Sequence, residues 1–508
     1  MNESPISRAH CTHRVRPRLV TASLTAAALL SVLGTGSARA QSYPIYTVTS
    51  LPVSTFTAFN DSGLILGRAF LPCTGLCTLS DSPVLYDSRT GTLTGLGGGF
   101  GGGTQFDAIN ANGQLAGSST ALDASGSWVR KVVIRQVDGT LTTLAAPPLS
   151  PTQFSGLKAR GLNISGQIAL QHSDGLDTQM PLCGNYQGWI GTGDTAAGWK
   201  PLGPAGNVTH LTDINASGVS VGAAVPSAQC GGAGGGFRAV AALPTGTLID
   251  LHSTMPGGFS RANAINDLGY AVGDYDTGAR TLPDTTFPQG VPIAHAVVWN
   301  TATKTWFDMG LAGVQSRLNA ANNRGEVVGS FNGAALPGQP YISAIARAVV
   351  GNLATNWPMA DLNTLLAQNT DGWVLQDAVA INANGQIVAR GASVSGSGYA
   401  LLTPVTAPAD PYAVLPSAPA SLAASQVTAT SAVVTWTNTA RNATRLVVQR
   451  CKGNGCSGFV AIATLPGDTA TFSDAKLSRR TTYRWRVLAG NAKGLSAGSN
   501  IVTATTLR

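Results

Sequence analysis

Ile109-Asn110-Ala111-Asn112-Gly113-Gln114-Leu115-Ala116-Gly117 is the stretch on which the reading of this chain turns. An apolar residue leads into Asn, Gly follows three residues later, and an alternating run ends on a second Gly. Asn at the first position of a type I turn accepts a hydrogen bond from the backbone two residues on. Gly then supplies the left-handed conformation of a G1 bulge. The stretch therefore predicts two antiparallel strands joined by a tight turn. The same spacing recurs at Asn60/Gly63, Asn110/Gly113, Asn163/Gly166, Asn215/Gly218, Asn266/Gly269, Asn322/Gly325 and Asn382/Gly385, and the steps between the glycines are 50, 53, 52, 51, 56 and 60 residues. A repeat of this length marks a solenoid, a propeller or an array. These Asn residues are read as turn formers, not as ligand contacts.

Most units carry two further strands. The third reads Pro83-Val84-Leu85-Tyr86, Lys131-Val132-Val133-Ile134 or His295-Ala296-Val297-Val298-Trp299, and the fourth Thr92-Leu93-Thr94-Gly95-Leu96 or Thr247-Leu248-Ile249-Asp250-Leu251. Four short strands per repeat make a propeller blade. The seventh unit stops after Tyr399-Ala400-Leu401-Leu402, while Tyr46-Thr47-Val48-Thr49-Ser50-Leu51 matches a fourth strand with no hairpin ahead of it. A unit split between the two ends clasps a ring and removes free sheet edges. The expected fold of 41–405 is thus all-β, a seven-bladed β-propeller closed by a split blade; a linear β-solenoid is the alternative.

Composition agrees. Of 508 residues only 11% are charged while 44% are apolar and 61 are Gly. The apolar share excludes a disordered chain, and Gly without a three-residue period excludes collagen. Seven Lys, two Glu (Glu3 and Glu326) and five Met leave too few helix formers for a coiled coil.

Asp361-Leu362-Asn363-Thr364-Leu365-Leu366, Gly372-Trp373-Val374-Leu375 and Ala380-Ile381-Asn382-Ala383-Asn384-Gly385-Gln386-Ile387-Val388 resemble the bacterial extracellular HAF-repeat family, whose His-Ala-Phe segment has a variant in His295-Ala296-Val297. Leu170 and Ala389 depart from it where a Gly closes the second strand, and Ala321 replaces its Ile. The resemblance implies export and repeat architecture, and no catalytic residue. From Thr406 the texture changes. A Pro-containing linker at 406–415 leads to Ala432-Val433-Val434-Thr435-Trp436 and Thr482-Tyr483-Arg484-Trp485-Arg486-Val487, in a segment, 416–508, that resembles a fibronectin type III domain. The resemblance makes Trp436 the core Trp of the second strand and Tyr483 the tyrosine-corner residue.

The first 40 residues read as a secretory signal: Arg8, Arg14, Arg16 and Arg18, an apolar run from Leu19 to Leu33, then Ala38-Arg39-Ala40 before the expected cleavage. A membrane anchor is the alternative, though the run is short for a span. No membrane span is expected in the rest, and the protein is read as secreted, either extracellular or periplasmic and cell-surface-associated. Cys73, Cys77, Cys183, Cys230, Cys451 and Cys456 then suit disulfides in an oxidising compartment. Proximity favours Cys73–Cys77 and Cys451–Cys456, with Cys183–Cys230 remaining. Zinc is the competing reading, disfavoured by the lack of a matching His pair.

Residues 415–508 hold eleven Lys and Arg against two Asp, whereas 41–414 carry a net charge of −5. Arg479, Arg480, Arg484 and Arg486 could hold an anionic polymer through summed attraction, or form a solvated face. No recognition motif accompanies them, so no specific nucleic acid is expected. The long loops at 68–82, 171–187, 223–236, 274–293 and 330–345 share the face opposite the Asn turns, and variable loops on a rigid scaffold carry binding sites. His172, His210 and His252 map to that face as candidate binding residues. No Gly-x-Ser-x-Gly elbow or His-Glu-x-x-His occurs, and no metal or cofactor is expected. The expected function is that of a secreted, non-catalytic, monomeric binding protein for an extracellular glycan or protein. The alternative is a polysaccharide-active hydrolase or lyase, which requires paired carboxylates.

Overall fold

A computed structural model describes residues 43–508 except 73–78, 98–102, 123–125, 127, 148–155, 174–185, 203–207, 226–235, 281–289, 311–313, 333–345, 354–356, 407–410 and 441. Cys73, Cys77, Cys183, Cys230 and the signal segment lie outside the described residues, as do parts of the long loops. Among the described residues helix is confined to short 3-10 turns at Ala196–Gly198, Leu362–Leu365 and Pro411–Ala413. No described helix is long and apolar enough to cross a membrane.

Each Asn-x-x-Gly turn joins the first two strands of an open antiparallel sheet. In the second repeat Thr104–Ile109 and Leu115–Leu122 are followed by Trp128–Arg135 and Leu141–Thr143, hydrogen-bonded in sequence order. Five other repeats have the same order. The last joins both ends of the region: Val374–Ile381, Ile387–Ser393 and Gly396–Pro404 are extended by Tyr46–Ser50, antiparallel to Gly396–Pro404, and by Leu366–Gln368 in parallel beyond it. The N-terminal strand thus occupies the fourth position that the seventh repeat lacks.

The turns have the predicted geometry. Gly113 has φ +84, its N–H bonds to Asn110 O at 3.0 Å, and the Asn110 N–H to Gln114 O at 3.1 Å. All seven glycines have φ between 75 and 84. The Asn side chains do more than form turns. In the third repeat Asn163 Oδ1 accepts from the N–H groups of Ser165 (3.1 Å) and Gln167 (2.9 Å), while Nδ2 donates to Asn215 O in the next sheet (3.1 Å). The same step runs from Asn60 to Asn110, Asn110 to Asn163, Asn215 to Asn266, Asn266 to Asn322 and Asn322 to Asn382. Asn382 donates back to Asn60 O at 3.4 Å, so the circuit closes. All seven side chains are buried, which the turn alone would not require.

Apolar contact follows the same path. Separate clusters fill successive gaps between sheets, such as Leu66 with Phe106, Leu115 and Val133, and Ala169, Ile190 and Leu202 with Leu211 and Ile214. One joins the last repeat to the first: Val388 and Leu401 against Leu51, Val53, Ile65 and Val84. In two stretches expected as loops the described residues are largely strand. Leu64–Pro72 pairs with Leu79–Asp87 out to Pro72 and Leu79, and Tyr270–Arg280 with Pro292–Asn300 out to Arg280 and Pro292. Main-chain pairing carries these extensions beyond the cores, with Phe70 63% exposed and Arg68 ion-paired to Asp81, so no apolar alternation announces them.

The C-terminal segment is a two-sheet sandwich. Ala420–Ser425, Ser431–Thr437 and Thr471–Ala475 face Val460–Pro466, Arg445–Lys452, Thr482–Asn491 and Gly494–Leu495, with Val502–Thr505 also on Thr482–Asn491. Trp436, Tyr483 and Trp485 are buried in its core, and Tyr483 Oη accepts from the Ser478 N–H at 2.9 Å. Cys451 and Cys456 form a disulfide. The linker residue Tyr412 is buried, and Asn491 Nδ2 donates to Val414 O. Within the sandwich Asp474 accepts from Arg450 Nη1 at 2.7 and 2.9 Å and from Trp485 Nε1 at 2.7 Å.

Two substitutions test these contacts by denaturant unfolding. Asn163→Ala leaves two turn N–H groups and Asn215 O without their partner and is expected to cost about 2–4 kcal/mol. Asp474→Ala strands a largely buried guanidinium and an indole N–H, and is expected to cost about 3 kcal/mol in the C-terminal sandwich.

Candidate functional site

The first strands of consecutive sheets pack against one another, and each is interrupted at the same place. The pairing register skips Thr57, Asp107, Arg160, Thr212, Asn263, Asn319 and Val379, the residue three before each Asn. A bulged residue opposes no partner and is free to redirect its side chain. The bulge also brings backbone close to the second strand: a Cβ on Gly273 would lie 1.8 Å from Arg261 O, which explains the Gly that ends the repeat motif. Three bulge residues bridge to the next sheet. Thr212 Oγ1 donates to Ala262 O (2.8 Å), Asn263 Nδ2 to Leu318 O (2.8 Å) and Asn319 Nδ2 to Ala378 O (2.9 Å).

Asp107 holds the corresponding position in the second sheet with a group that, ionised, cannot donate. Its Oδ1 accepts from Gln105 Nε2 at 2.7 Å, and its Oδ2 is buried without a partner among the described residues. Burial pushes its pKa above the usual carboxylate range, opposed by the Gln105 bond and by Arg160, Lys158 and Arg130. Asp213, next to the bulge residue Thr212, is a second buried carboxylate. It accepts from the N–H groups of Ile214 and Ile265, and burial pushes it up to about 6 despite them, with Asp267 adding to the rise.

Two residues before the bulge stand Thr55, Gln105, Lys158, His210, Arg261, Arg317 and Asp377. The last three enter a cleft of about 470 Å³, away from the Asn turns, that Phe259, Asp274, Gln315, Ser330, Asn332 and Arg390 also line. Arg317 is ion-paired with Asp377, whose other oxygen accepts from Asn319 Nδ2 at 2.7 Å. Asp274 is buried, and burial raises its pKa against the opposing pull of Arg261, an Asn263 hydrogen bond and Arg317. The Arg261 guanidinium lies 5.4 Å from the ring centre of Phe259 and 5.9 Å from that of Phe237. Among the described residues neither Arg261 nor Arg390 has an ion-pair partner. These residues were missed individually, yet their signal is legible: charged side chains at fixed offsets before Asn, in strands otherwise apolar.

The three candidate His residues engage different neighbours. His172 is buried opposite Leu157 and Gln187. His210 is half-buried, with Nδ1 3.1 Å from Gln171 Nε2 and its ring edge-on to Phe237. His252 is buried with Nδ1 2.9 Å from Ser260 Oγ; burial lowers its pKa, and Arg238 adds to the fall. Among the described residues no group of three His, Cys, Asp or Glu side chains could hold a metal. In the sandwich, Arg484 and Arg486 flank Phe459, their guanidiniums 5.9 and 4.5 Å from its ring centre, and Arg486 Nε donates to Gln449. Arg479 and Arg480 are exposed in the turn before that strand.

Residues 417–505 match the family model described as fibronectin type III domain, so this part of the chain is such a domain. Similar solved structures include one titled "Myokine structure" (26% identity, 18% of this chain and 99% of that chain, TM-score 0.17). Another is the FN3 domain of human collagen XX (26%, 18% and 93%, TM-score 0.16). A third is the domain of human fibronectin type III domain containing protein 3 (23%, 18% and 88%, TM-score 0.17). No curated protein matches the chain.

Asp107→Asn is expected to restore the donor that Asn263 and Asn319 supply and to raise stability at pH 7 by about 1 kcal/mol. A carboxyl whose pKa is raised by folding stabilises below its unfolded pKa and loses that contribution as pH rises through the folded value. The gain from the substitution should therefore shrink as melts are repeated towards pH 4.

Proposed function

We propose that 41–405 is a seven-bladed β-propeller closed by a split blade, built from HAF-type repeats, and that the chain is a secreted, non-catalytic binding protein. The circuit from Asn60 through Asn382 back to Asn60 supports the propeller, since hydrogen bonds of near-constant geometry return to their origin only if the sheets do. The ligand, an extracellular polymer, is held at the cleft on the face opposite the Asn turns. The observation that carries this reading is the cleft itself: a concave site with a few convergent polar groups, two of them guanidiniums that form no ion pair among the described residues. The fibronectin type III domain adds an accessory contact through Arg484 and Arg486.

A second reading rests on one observation. Asp274 and Asp377 both line the cleft, and paired carboxyls in different environments are what acid–base cleavage of a polysaccharide requires. Incubating the full chain with a glycan, cell-wall and matrix-protein panel distinguishes the two. Retention without new reducing ends or unsaturated products is expected. Turnover abolished by Asp274→Asn would make the protein an enzyme, and no retention of any component at low salt would remove the binding reading.

A further inference from the structure

We infer that the cleft is specific for an acidic saccharide, with Arg261 and Arg390 receiving its carboxylate and Asp377, Ser330 and Asn332 its hydroxyl groups. This rests on the reading of the cleft as the ligand site. The inference follows from how the cationic groups at the cleft are already used. Arg317 is neutralised by Asp377, which is also held by Asn319. Arg261 is exposed beside two aromatic rings and faces Asp274 across the strand pair, yet among the described residues it forms no ion pair, so its planar donors stay open to a ligand. Arg390 is exposed at the cleft wall, across the strand pair from Asp377 but in no ion pair among the described residues.

A guanidinium presents several donors in one plane, matched to a carboxylate, so two unpaired ones in a cleft favour an anion over a neutral glycan. The buried Asp274 sharpens the discrimination. It faces Arg261 across the strand pair, so the cleft is not uniformly positive and disfavours a densely charged chain. One carboxylate per sugar, surrounded by hydroxyls, fits this mixture of donors and acceptors better than a polysulfate. The volume, about 470 Å³, falls in the usual range for small-ligand sites and accepts a short oligosaccharide.

The test is calorimetric titration of the full chain with tetragalacturonic acid, with the same oligosaccharide after reduction of its carboxyls to alcohols, and with a heparin tetrasaccharide. Tetragalacturonate is expected to bind at least ten-fold more tightly than either of the others. Arg261→Gln with Arg390→Gln should lower that affinity ten-fold or more, whereas Arg484→Gln with Arg486→Gln should change it less than two-fold. Arg390→Gln alone, at an exposed site, should weaken binding without altering the melting temperature, so that loss of binding is not loss of fold. Equal affinity for the reduced oligosaccharide, preference for heparin, or dependence on Arg484 and Arg486 instead would overturn the inference. If the panel retains a neutral glycan or a protein but tetragalacturonate does not bind, the inference fails while the binding reading stands. If nothing in the panel is retained, both fail.

Discussion

The hydrogen bond from one Asn carboxamide to the backbone of the next repeat's Asn is the contact on which the repeat region depends. One side chain serves two tasks with opposite polarity: Oδ1 accepts from the backbone of its own turn, and Nδ2 donates to the neighbouring sheet. Asp could accept but not donate, Ser is too short to reach both partners, and Gln is one methylene too long to close the turn. Because each carbonyl that receives the bond belongs to the Asn that makes the next one, the turns are held in register with one another. The apolar clusters between sheets then fill a gap whose width is already set. Among the described residues no cluster spans the whole region; each of these joins neighbouring sheets.

That commitment at one end of the strands leaves chemistry to the other. Near the turns the first strands carry apolar residues and buried amides that are fully engaged. Beyond the bulge the same strands carry Lys158, His210, Arg261, Arg317 and Asp377. The bulge separates the two zones. It breaks the strict alternation of the strand and lets Thr212, Asn263 and Asn319 brace the adjacent sheet. Polar groups that brace the next sheet and groups that line the cleft therefore occupy neighbouring positions on the same strand.

The positive charge of the C-terminal domain is less available than its count suggests. Arg450 is bound to Asp474 beneath the Tyr483 ring, Arg486 is engaged by Gln449, and Arg484 and Arg486 both lie over Phe459. A guanidinium on an aromatic face keeps its charge but loses freedom, which suits a preorganised contact more than a diffuse electrostatic one.

The hairpins, their glycine bulges, the number of repeats, the strand shared between the two chain ends and the fibronectin type III domain could all be read from the amino acids. They depend on local rules, a turn that needs Asn and a left-handed residue and a strand that alternates, and for the last domain on a resemblance in which Trp436 and Tyr483 fill the core and tyrosine-corner positions. What the residues alone did not disclose is which polar groups were spoken for. Asn110 looks the same in sequence whether its amide meets water or Asn163 O, and of the two arginines near Asp377 the structure ion-pairs Arg317, while Arg390 only faces it across the strand pair. His172 and His252 read as surface ligands because they sit beside long loops, and folding buries them under neighbouring strands. Local backbone preference is written in short segments, but pairing between segments about 50 residues apart is decided only when the sheets pack, because it depends on distances no single segment contains.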